Sequence, residues 1–253
     1  MAERTRIVLK SGKDQSLRRF HPWVFSGAIK KIYGPAREGE LVDLYDNKDE
    51  FLASGHYQQG SIAVRVLSFE AVETDQQFWD RKVKNAWDLR DKLGLVGNLQ
   101  TSVFRWINAE GDGLPGLIVD YYGGAAVLQM HSLGIYRNLD ALVESLKKVA
   151  GDRLITIYNK SDSTLPDKPG ITARSGILMG KQAKGEVLEN GYRFLVNWVE
   201  GQKTGFFVDQ RENRALVGFY APGRKVLNMF GYTGGFSIYG MGGGARLVHS
   251  VDS

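Results

Sequence analysis

Lys225-Val-Leu-Asn-Met-Phe-Gly-Tyr-Thr-Gly-Gly-Phe236, followed by Arg246-Leu-Val-His-Ser-Val-Asp252, is the stretch whose reading decides the fold. Residues 225–230 read as a buried strand and 231–236 as a glycine-rich turn. A helix runs from about Phe236 to Met241, and a second strand ends at Asp252. Strand, glycine turn, helix and strand in that order open a doubly wound parallel sheet. One such unit cannot cover both faces of a parallel sheet. The expectation is therefore that the chain is a fragment, or that another chain supplies the remainder.

The turn also carries the first chemical signal. Glycine has no Cβ, so a ligand can approach the backbone, and the helix that follows presents free N–H groups. Asp252 stands 17 residues beyond Gly235, where a carboxylate can accept hydrogen bonds from both hydroxyls of a ribose. A dinucleotide site shows G-x-G-x-x-G, which is missing here, and this argues against a nicotinamide-dependent oxidoreductase. The spacing is instead G-x-x-G-G, lined by Phe230, Tyr232 and Phe236. S-adenosylmethionine, with an adenosine, a methionine tail and no phosphate, fits this looser turn better.

Just upstream lies Gln202-Lys-Thr-Gly-Phe-Phe-Val-Asp-Gln-Arg211. Lys203 is placed to meet a ligand carboxylate, and Gly205 to allow close approach. Arg211 pairs with Asp209 or with the ligand. Asp209 and Glu212 stand at capping-box spacing for a helix that Pro222-Gly223 breaks. Phe206 and Phe207 read as core, and Tyr192–Val199 as a strand or hairpin arm.

Further outward, residues 101–190 read as a compact α+β unit. Ser102–Ile107, Leu117–Asp120 and Ala125–Met130 are strands. Ile135, Leu139, Leu142, Val143, Leu146 and Val149 form one helical stripe, and Leu154–Tyr158 is a further strand. The order suggests one sheet backed by one helix. Lys160–Gly176, with Pro166 and Pro169, reads as a loop. Glu110, Asp112 and Asp120 are carboxylates that glycine and proline content assigns to a turn rather than to a metal cluster. Phe78, Trp79, Val83, Ala86, Trp87 and Leu93 recur at helical spacing over 75–93, and Gly94 and Gly97 end this connector. Residues 1–70 carry short β-branched and aromatic runs at Arg6–Leu9, Glu40–Tyr45, Phe51–Ser54 and Ile62–Leu67, a spacing that suggests a small β-barrel.

Composition sets the outer bounds. The chain has 253 residues, 43% hydrophobic and 24% charged, in the globular range. No apolar run approaches the roughly 20 residues of a membrane helix, and Met1-Ala-Glu-Arg4 leads on without a signal-peptide core. There is no cysteine, and His21, His56, His131 and His249 lie far apart, so no metal is expected. Net charge is +5, but unevenly spread. Residues 1–37 hold nine Lys/Arg against two Asp/Glu, and residues 38–70 hold two against seven. A basic leading segment is the electrostatic footprint of a phosphate-bearing partner. Lys10, Lys13, Arg18, Arg19, Lys30 and Lys31 are the candidate RNA phosphate contacts. Arg18 and Arg19 are the strongest, because they flank the apolar stretch. His21, Trp23 and Phe25 are candidates for stacking on bases, although Pro22 and Trp23 read first as barrel core.

Together, K-T-G-F-F-x-D-Q-R over 203–211 and N-x-F-x-Y-T-G-G-F over 228–236 resemble the PUA-containing class I S-adenosylmethionine-dependent 23S ribosomal RNA cytosine-5 methyltransferases. Arg19-Phe-His-Pro-Trp-Val-Phe-Ser-Gly27 resembles that family's PUA opening, and Gly111–Asp120 its central domain. The resemblance implies a mixed α/β multidomain fold. A PUA-like RNA-binding β-barrel spans 1–72, a connector helix 73–98 and an α+β domain 99–190. The start of a Rossmann-like doubly wound methyltransferase domain, incomplete here, spans 191–253. It implies S-adenosyl-L-methionine as cofactor, large-subunit ribosomal RNA as partner, a role in rRNA processing and a cytoplasmic location; a homodimer is left open. It implies that Asn228, Phe230, Tyr232, Thr233, Gly234 and Gly235 form the cofactor loop and that Asp252 holds the ribose. Lys203, Thr204, Asp209, Gln210 and Arg211 would close the methionine side. The family's Pro-Pro motif and nucleophilic cysteine would lie downstream of this stretch, and neither occurs here. Methylating C5 of cytosine needs a thiolate to add to C6, so no catalytic residue is assigned and the chain alone is expected to be silent. The alternative is a non-catalytic RNA-binding module, a PUA barrel on an α+β platform.

Overall fold

The structure is a computed structural model describing residues 4–166, 173, 175–182 and 184–252. Pro169, in the expected loop, lies outside the described residues. The first layer is a six-stranded sheet, β2-β6-β5-β4-β1-β3, curled into a PUA-like half-barrel. Its strands are β1 (Arg6–Leu9), β2 (Trp23–Phe25), β3 (Ile29–Tyr33), β4 (Leu41–Tyr45), β5 (Phe51–Tyr57) and β6 (Ile62–Ser68). β2 is only three residues long and β3 is interrupted by Lys30 and Lys31, so neither stands out in the sequence. A four-residue helix, α1 (Gln15–Arg18), buries Leu17 in the barrel core with Ile7, Leu9, Val24, Leu44 and Val64.

The connector is α2 (Gln76–Lys92). The Asp75 carboxylate accepts from the Phe78 N–H at 2.8 Å and caps its first turn. Its stripe of Phe78, Trp79, Val83, Ala86 and Trp87 is buried in the core of the central unit. The central sheet runs β11-β10-β9-β8-β7. It comprises β7 (Val103–Asn108), β8 (Leu117–Tyr122), β9 (Ala125–Met130), β10 (Thr156–Asn159) and β11 (Gly176–Met179). The expected single backing helix is instead a pair: α3 (Leu133–Arg137) leads into α4 (Leu139–Ala150), and α4 packs beside α2 on the same core. One stripe of apolar positions could not show that α2 supplies the second helix, because that pairing is tertiary.

The opposite face of this sheet is also covered. The hairpin of β12 (Lys184–Glu189) and β13 (Tyr192–Asn197) brings Val187, Phe194 and Val196 against Val103, Tyr122 and Val127, with Trp198, Phe206 and Tyr239 completing the layer. The last unit is α5 (Arg211–Tyr220), β14 (Lys225–Met229), α6 (Gly235–Gly242) and β15 (Leu247–Val251), with β14 and β15 paired in parallel. The β-turn-α-β order is as expected. The burial expected of residues 225–230 is not: Leu227 is 63% and Phe230 83% exposed. A two-stranded sheet backed by one helix leaves its other face to solvent. The expected capping box also fails. Gln210, not Asp209, is the cap of α5, and no side chain caps it. A 3-10 turn over Val208–Gln210 carries Asp209 away from the helix end.

A buried joint ties this last unit to the hairpin. Arg214 of α5 donates to both carboxylate oxygens of Glu189 at 2.7 Å, and the Tyr239 hydroxyl of α6 donates to Glu189 Oε1 at 3.1 Å. Such a pair is favourable only when the remaining polar atoms are also satisfied, and here Arg214 reaches the Phe207 carbonyl as well.

Candidate functional site

Around the glycine turn, Phe230, Gly231, Tyr232, Thr233 and Gly235 meet Phe206, Phe207, Gln210, Arg214 and Phe236 on a small cavity of about 90 Å³. Phe230 and Tyr232 take positive φ of 57° and 47°, so the chain doubles back sharply. Gly234, at φ 72°, caps α6 in the left-handed region; a Cβ there would meet nothing within 4 Å. It is the point at which the turn opens outward.

Several of the same residues, with Asn228, also hold the turn in shape. The Asn228 amide is buried and donates to Ser237 Oγ at 2.8 Å, and Ser237 lies 2.6 Å from Ser250 Oγ. These three polar side chains link β14, α6 and β15. The Tyr232 hydroxyl accepts from the Gln202 N–H at 2.8 Å and donates to the Gly205 carbonyl at 3.1 Å, while its ring meets Phe207 edge-on. Tyr232 therefore fastens the glycine turn to the loop at 201–205. Gly235 lies against the Arg214 side chain, whose Cδ would be 3.0 Å from an added Cβ. Asp252 follows β15 and is exposed at the same end of the sheet as the turn.

Four residues assigned to the methionine side, Lys203, Thr204, Asp209 and Arg211, do not line the small cavity at the glycine turn. Thr204 is buried and donates to Asp120 Oδ2 at 2.6 Å, with the Tyr122 hydroxyl 2.8 Å away. Asp120 is fully buried and also accepts from Arg105 Nε at 2.9 Å, so Thr204 completes a carboxylate's shell in the central sheet. Burial, joined by the Asp120 charge, raises the Tyr122 phenol well above its usual value and keeps it neutral. Lys203 is exposed at φ 49°, with its ammonium 4.7 Å from the Phe207 ring centroid, and lines a separate cleft. Asp209 and Arg211 face a groove against the central unit with Arg90, Phe104 and Arg105. Gly205 serves protein packing: at φ 119°, a Cβ would stand 3.0 Å from the Trp198 backbone. The K-T-G-F-F run folds onto the hairpin and central sheet, contacts distant in sequence. Arg214, which the motif reading passed over, could have been found from its i,i+4 relation to Gln210.

Part of the basic leading segment is paired with its acidic neighbour. Arg18 donates to Asp14 at 2.6 Å, Asp46 at 2.8 Å and Glu50 at 3.0 Å. The Asp14 and Glu50 carboxylates hold its guanidinium pKa even higher than usual. Arg4 pairs with Asp43, and Arg6 with Asp49. Arg18 is thus held by three carboxylates within the protein while its side chain stays about half exposed. Lys10 bonds the Gly27 carbonyl, and Lys31 lies over Tyr33. Lys13, Arg19 and Lys30 are exposed on the same half-barrel. Trp23, expected inside the barrel, is half-buried and donates from its indole to Glu110 at 2.8 Å; His21 and Phe25 flank it edge-on. Glu110 and Asp120 are held by separate partners, and Asp112 accepts both ends of Arg90. Among the described residues no helix is long and apolar enough to cross a membrane.

A PUA-like half-barrel, an α+β unit and a strand–glycine turn–helix–strand unit define a class: a PUA-like domain joined to part of an S-adenosylmethionine-dependent methyltransferase fold. A PUA-like domain model matches residues 7–69, and a model described as S-adenosylmethionine-dependent methyltransferase matches residues 166–253. The chain is 39% identical over 249 residues to ribosomal RNA large subunit methyltransferase I of Alteromonas mediterranea, covering 97% of this chain and 62% of that protein. It is 42% identical over 257 residues to the protein of the same name from Photobacterium profundum, covering 98% and 63%. A solved structure of a proposed methyltransferase complexed with SAH superposes with TM-score 0.83 at 25% identity, covering 98% of this chain and 62% of that one. The chain is similar to PUA-containing S-adenosylmethionine-dependent methyltransferases along nearly its whole length, and it spans about 62% of the length of the curated relatives it matches.

Proposed function

We propose that this chain is the donor-binding and RNA-gripping part of an enzyme that methylates large-subunit ribosomal RNA, at C5 of a cytosine. The observation that carries the reading is the open glycine turn at Gly234, with Asp252 at the same end of the two-stranded sheet. It is supported by the relatives named as ribosomal RNA large subunit methyltransferases and by the SAH held in a structural neighbour.

The residues present fit an adenosyl donor in part. A cavity of about 90 Å³ is too small for a whole nucleoside, since ligand pockets run to roughly 300–1,000 Å³. It can take one end of the donor, while the rest lies over the open turn toward Asp252. Asp252 would accept from the ribose hydroxyls, and the backbone of Gly234 and Gly235 would approach the donor without steric penalty. Phe230 and Phe236 supply apolar walls. When bound, the donor supplies a sulfonium methyl group. Asn228, Tyr232 and Arg214 are positioning residues that fix the shape of the turn.

No cysteine stands among these residues, so the thiolate that would add to C6 has no candidate here and we assign no catalytic residue. That observation also favours a second reading, a non-catalytic RNA-binding module. Calorimetric titration of the chain with SAH separates the two. The enzyme reading predicts micromolar binding that Gly234→Val and Asp252→Ala each weaken by about tenfold or more, the scale of one charged hydrogen bond lost. No binding, or binding that both variants leave intact, would overturn it.

A further inference from the structure

We propose that the cleft between the central sheet and the 201–203 loop is a binding site for one phosphate-bearing nucleotide of single-stranded RNA, seated beside the donor turn. The inference rests on the methyltransferase reading above and adds a substrate site that the motifs do not contain.

The cleft has a volume of about 540 Å³, within the range of small-molecule sites, and far larger than the cavity at the glycine turn. Arg105, His131, Lys160 and Lys203 line it with Gln129 and Ser163, and no carboxylate is among its lining residues. Two other cavities of about 290 and 350 Å³ each mix arginine or lysine with aspartate. Arg105, Lys160 and Lys203 line the cleft while the carboxylates nearby, Asp162 acting on Lys160 and Glu110 on His131, do not, so the wall favours an anion, and the amide and hydroxyl groups between the cations suit a nucleotide rather than a bare ion.

The cations are held in place. Arg105 is anchored on buried Asp120 by two hydrogen bonds of 2.9 and 3.2 Å, which leaves Nη1 without a partner in that pair. Lys160 donates to the carbonyls of Trp198 at 2.7 Å and of Gly201, so it also braces the loop that forms the cleft wall. Burial lowers the pKa of Lys160 against the pull of the Asp162 charge, and lowers that of His131 against Glu110, with the Arg65 and Arg105 charges adding to the fall; His131 is therefore a neutral hydrogen-bonding group at pH 7, and the cations of the cleft are Arg105, Lys160 and Lys203. Near His131, Arg65 keeps Nη1 buried without a hydrogen-bond partner, close enough to Glu110 and His131 to act on both.

Position makes the site more than a basic patch. The Gln202 N–H on the cleft wall bonds the Tyr232 hydroxyl of the glycine turn, and Lys203 lies over Phe207, which lines the donor cavity. Cleft and donor cavity are therefore two sides of one loop. At the other end, Glu110 ties the cleft's electrostatic neighbourhood to Trp23, flanked by His21 and the half-exposed ring of Phe25. Exposed aromatic rings followed by a cationic pocket are the pattern that grips unpaired RNA, with bases stacked and phosphates paired.

The test uses the whole chain and a fluorescein-labelled 12-nucleotide single-stranded RNA, followed by anisotropy. His131→Glu and Ser163→Glu each place a carboxylate on the lining of the cleft at an exposed position. Each is expected to weaken RNA binding about tenfold while SAH binding, measured on the same samples, stays unchanged. RNA affinity unchanged in both variants would overturn the proposal, as would equal competition by polyglutamate, which would mark a non-selective basic surface. Loss of RNA affinity in the variants of a chain that binds no SAH would support the cleft and sink the donor site instead.

Discussion

Strands β9 and β14 make an instructive pair. Both are short apolar runs and both have a parallel neighbour, β10 for the first and β15 for the second. All six residues of β9 are buried, whereas Asn228 alone is buried in β14. The difference lies in what covers them. The helices α2 and α4 lie on one face of the central sheet, and the hairpin with Trp198, Phe206 and Tyr239 on the other. α6 covers one face of β14 and β15, leaving Leu227, Met229 and Val251 exposed. An apolar run in a sequence therefore announces a strand, while its burial is decided by layers contributed from far along the chain.

The largest expected effect contrasts these regions directly. Trp106 is fully buried in the central core, so Trp106→Ala should cost about 3–5 kcal/mol in urea unfolding followed by circular dichroism. Leu227→Ala, at an exposed position of β14, should stay within about 0.5 kcal/mol. Comparable losses at the two positions would mean that β14 is covered in solution.

Next in size is an acid effect at the joint between half-barrel and central unit. His56 on β5 is buried against the Trp79 ring of α2 and the backbone of Gly134, and burial pulls its pKa from 6.5 down to about 4. The unfolded chain binds that proton near pH 6.5, the folded chain near pH 4. Stability from this group is complete above about pH 6.5 and is lost as pH falls toward 4, by roughly 3 kcal/mol in all. His56→Gln should flatten the slope of unfolding free energy over pH 4–6.5, and an unchanged slope would show that His56 is not the titrating group.

The smallest effect compares two aspartates at the starts of helices, Asp75 before α2 and Asp209 before α5. Asp75→Ala should destabilise by about 1 kcal/mol, since Asp75 caps α2. Asp209→Ala should change stability by less than about 0.5 kcal/mol, because it caps nothing. Equal losses in thermal unfolding would restore the capping box that the geometry denies.

The sequence made regular, local features legible. The α2 stripe, the β-turn-α-β order, strands β1, β4, β5, β6 and β9, and the glycine turn are all set by periodicity and turn chemistry within a few residues. Contacts across the fold stayed hidden. Thr204 meets Asp120, Arg18 meets Asp46 and Glu50, and Gly205 meets Trp198 only once separate segments come together. The candidate site divides the same way. The turn itself was readable, whereas the partition of the K-T-G-F-F run between a donor cavity and a cationic cleft was not.

The central claim is that the glycine turn of the least covered unit holds the adenosyl donor. Hydrogen–deuterium exchange with and without saturating SAH tests it most directly. The account predicts slowed exchange across 231–237 and at the end of β15, with β9 and β10 unchanged. Equal exchange at the turn in both states, or protection confined to the central sheet, would contradict it.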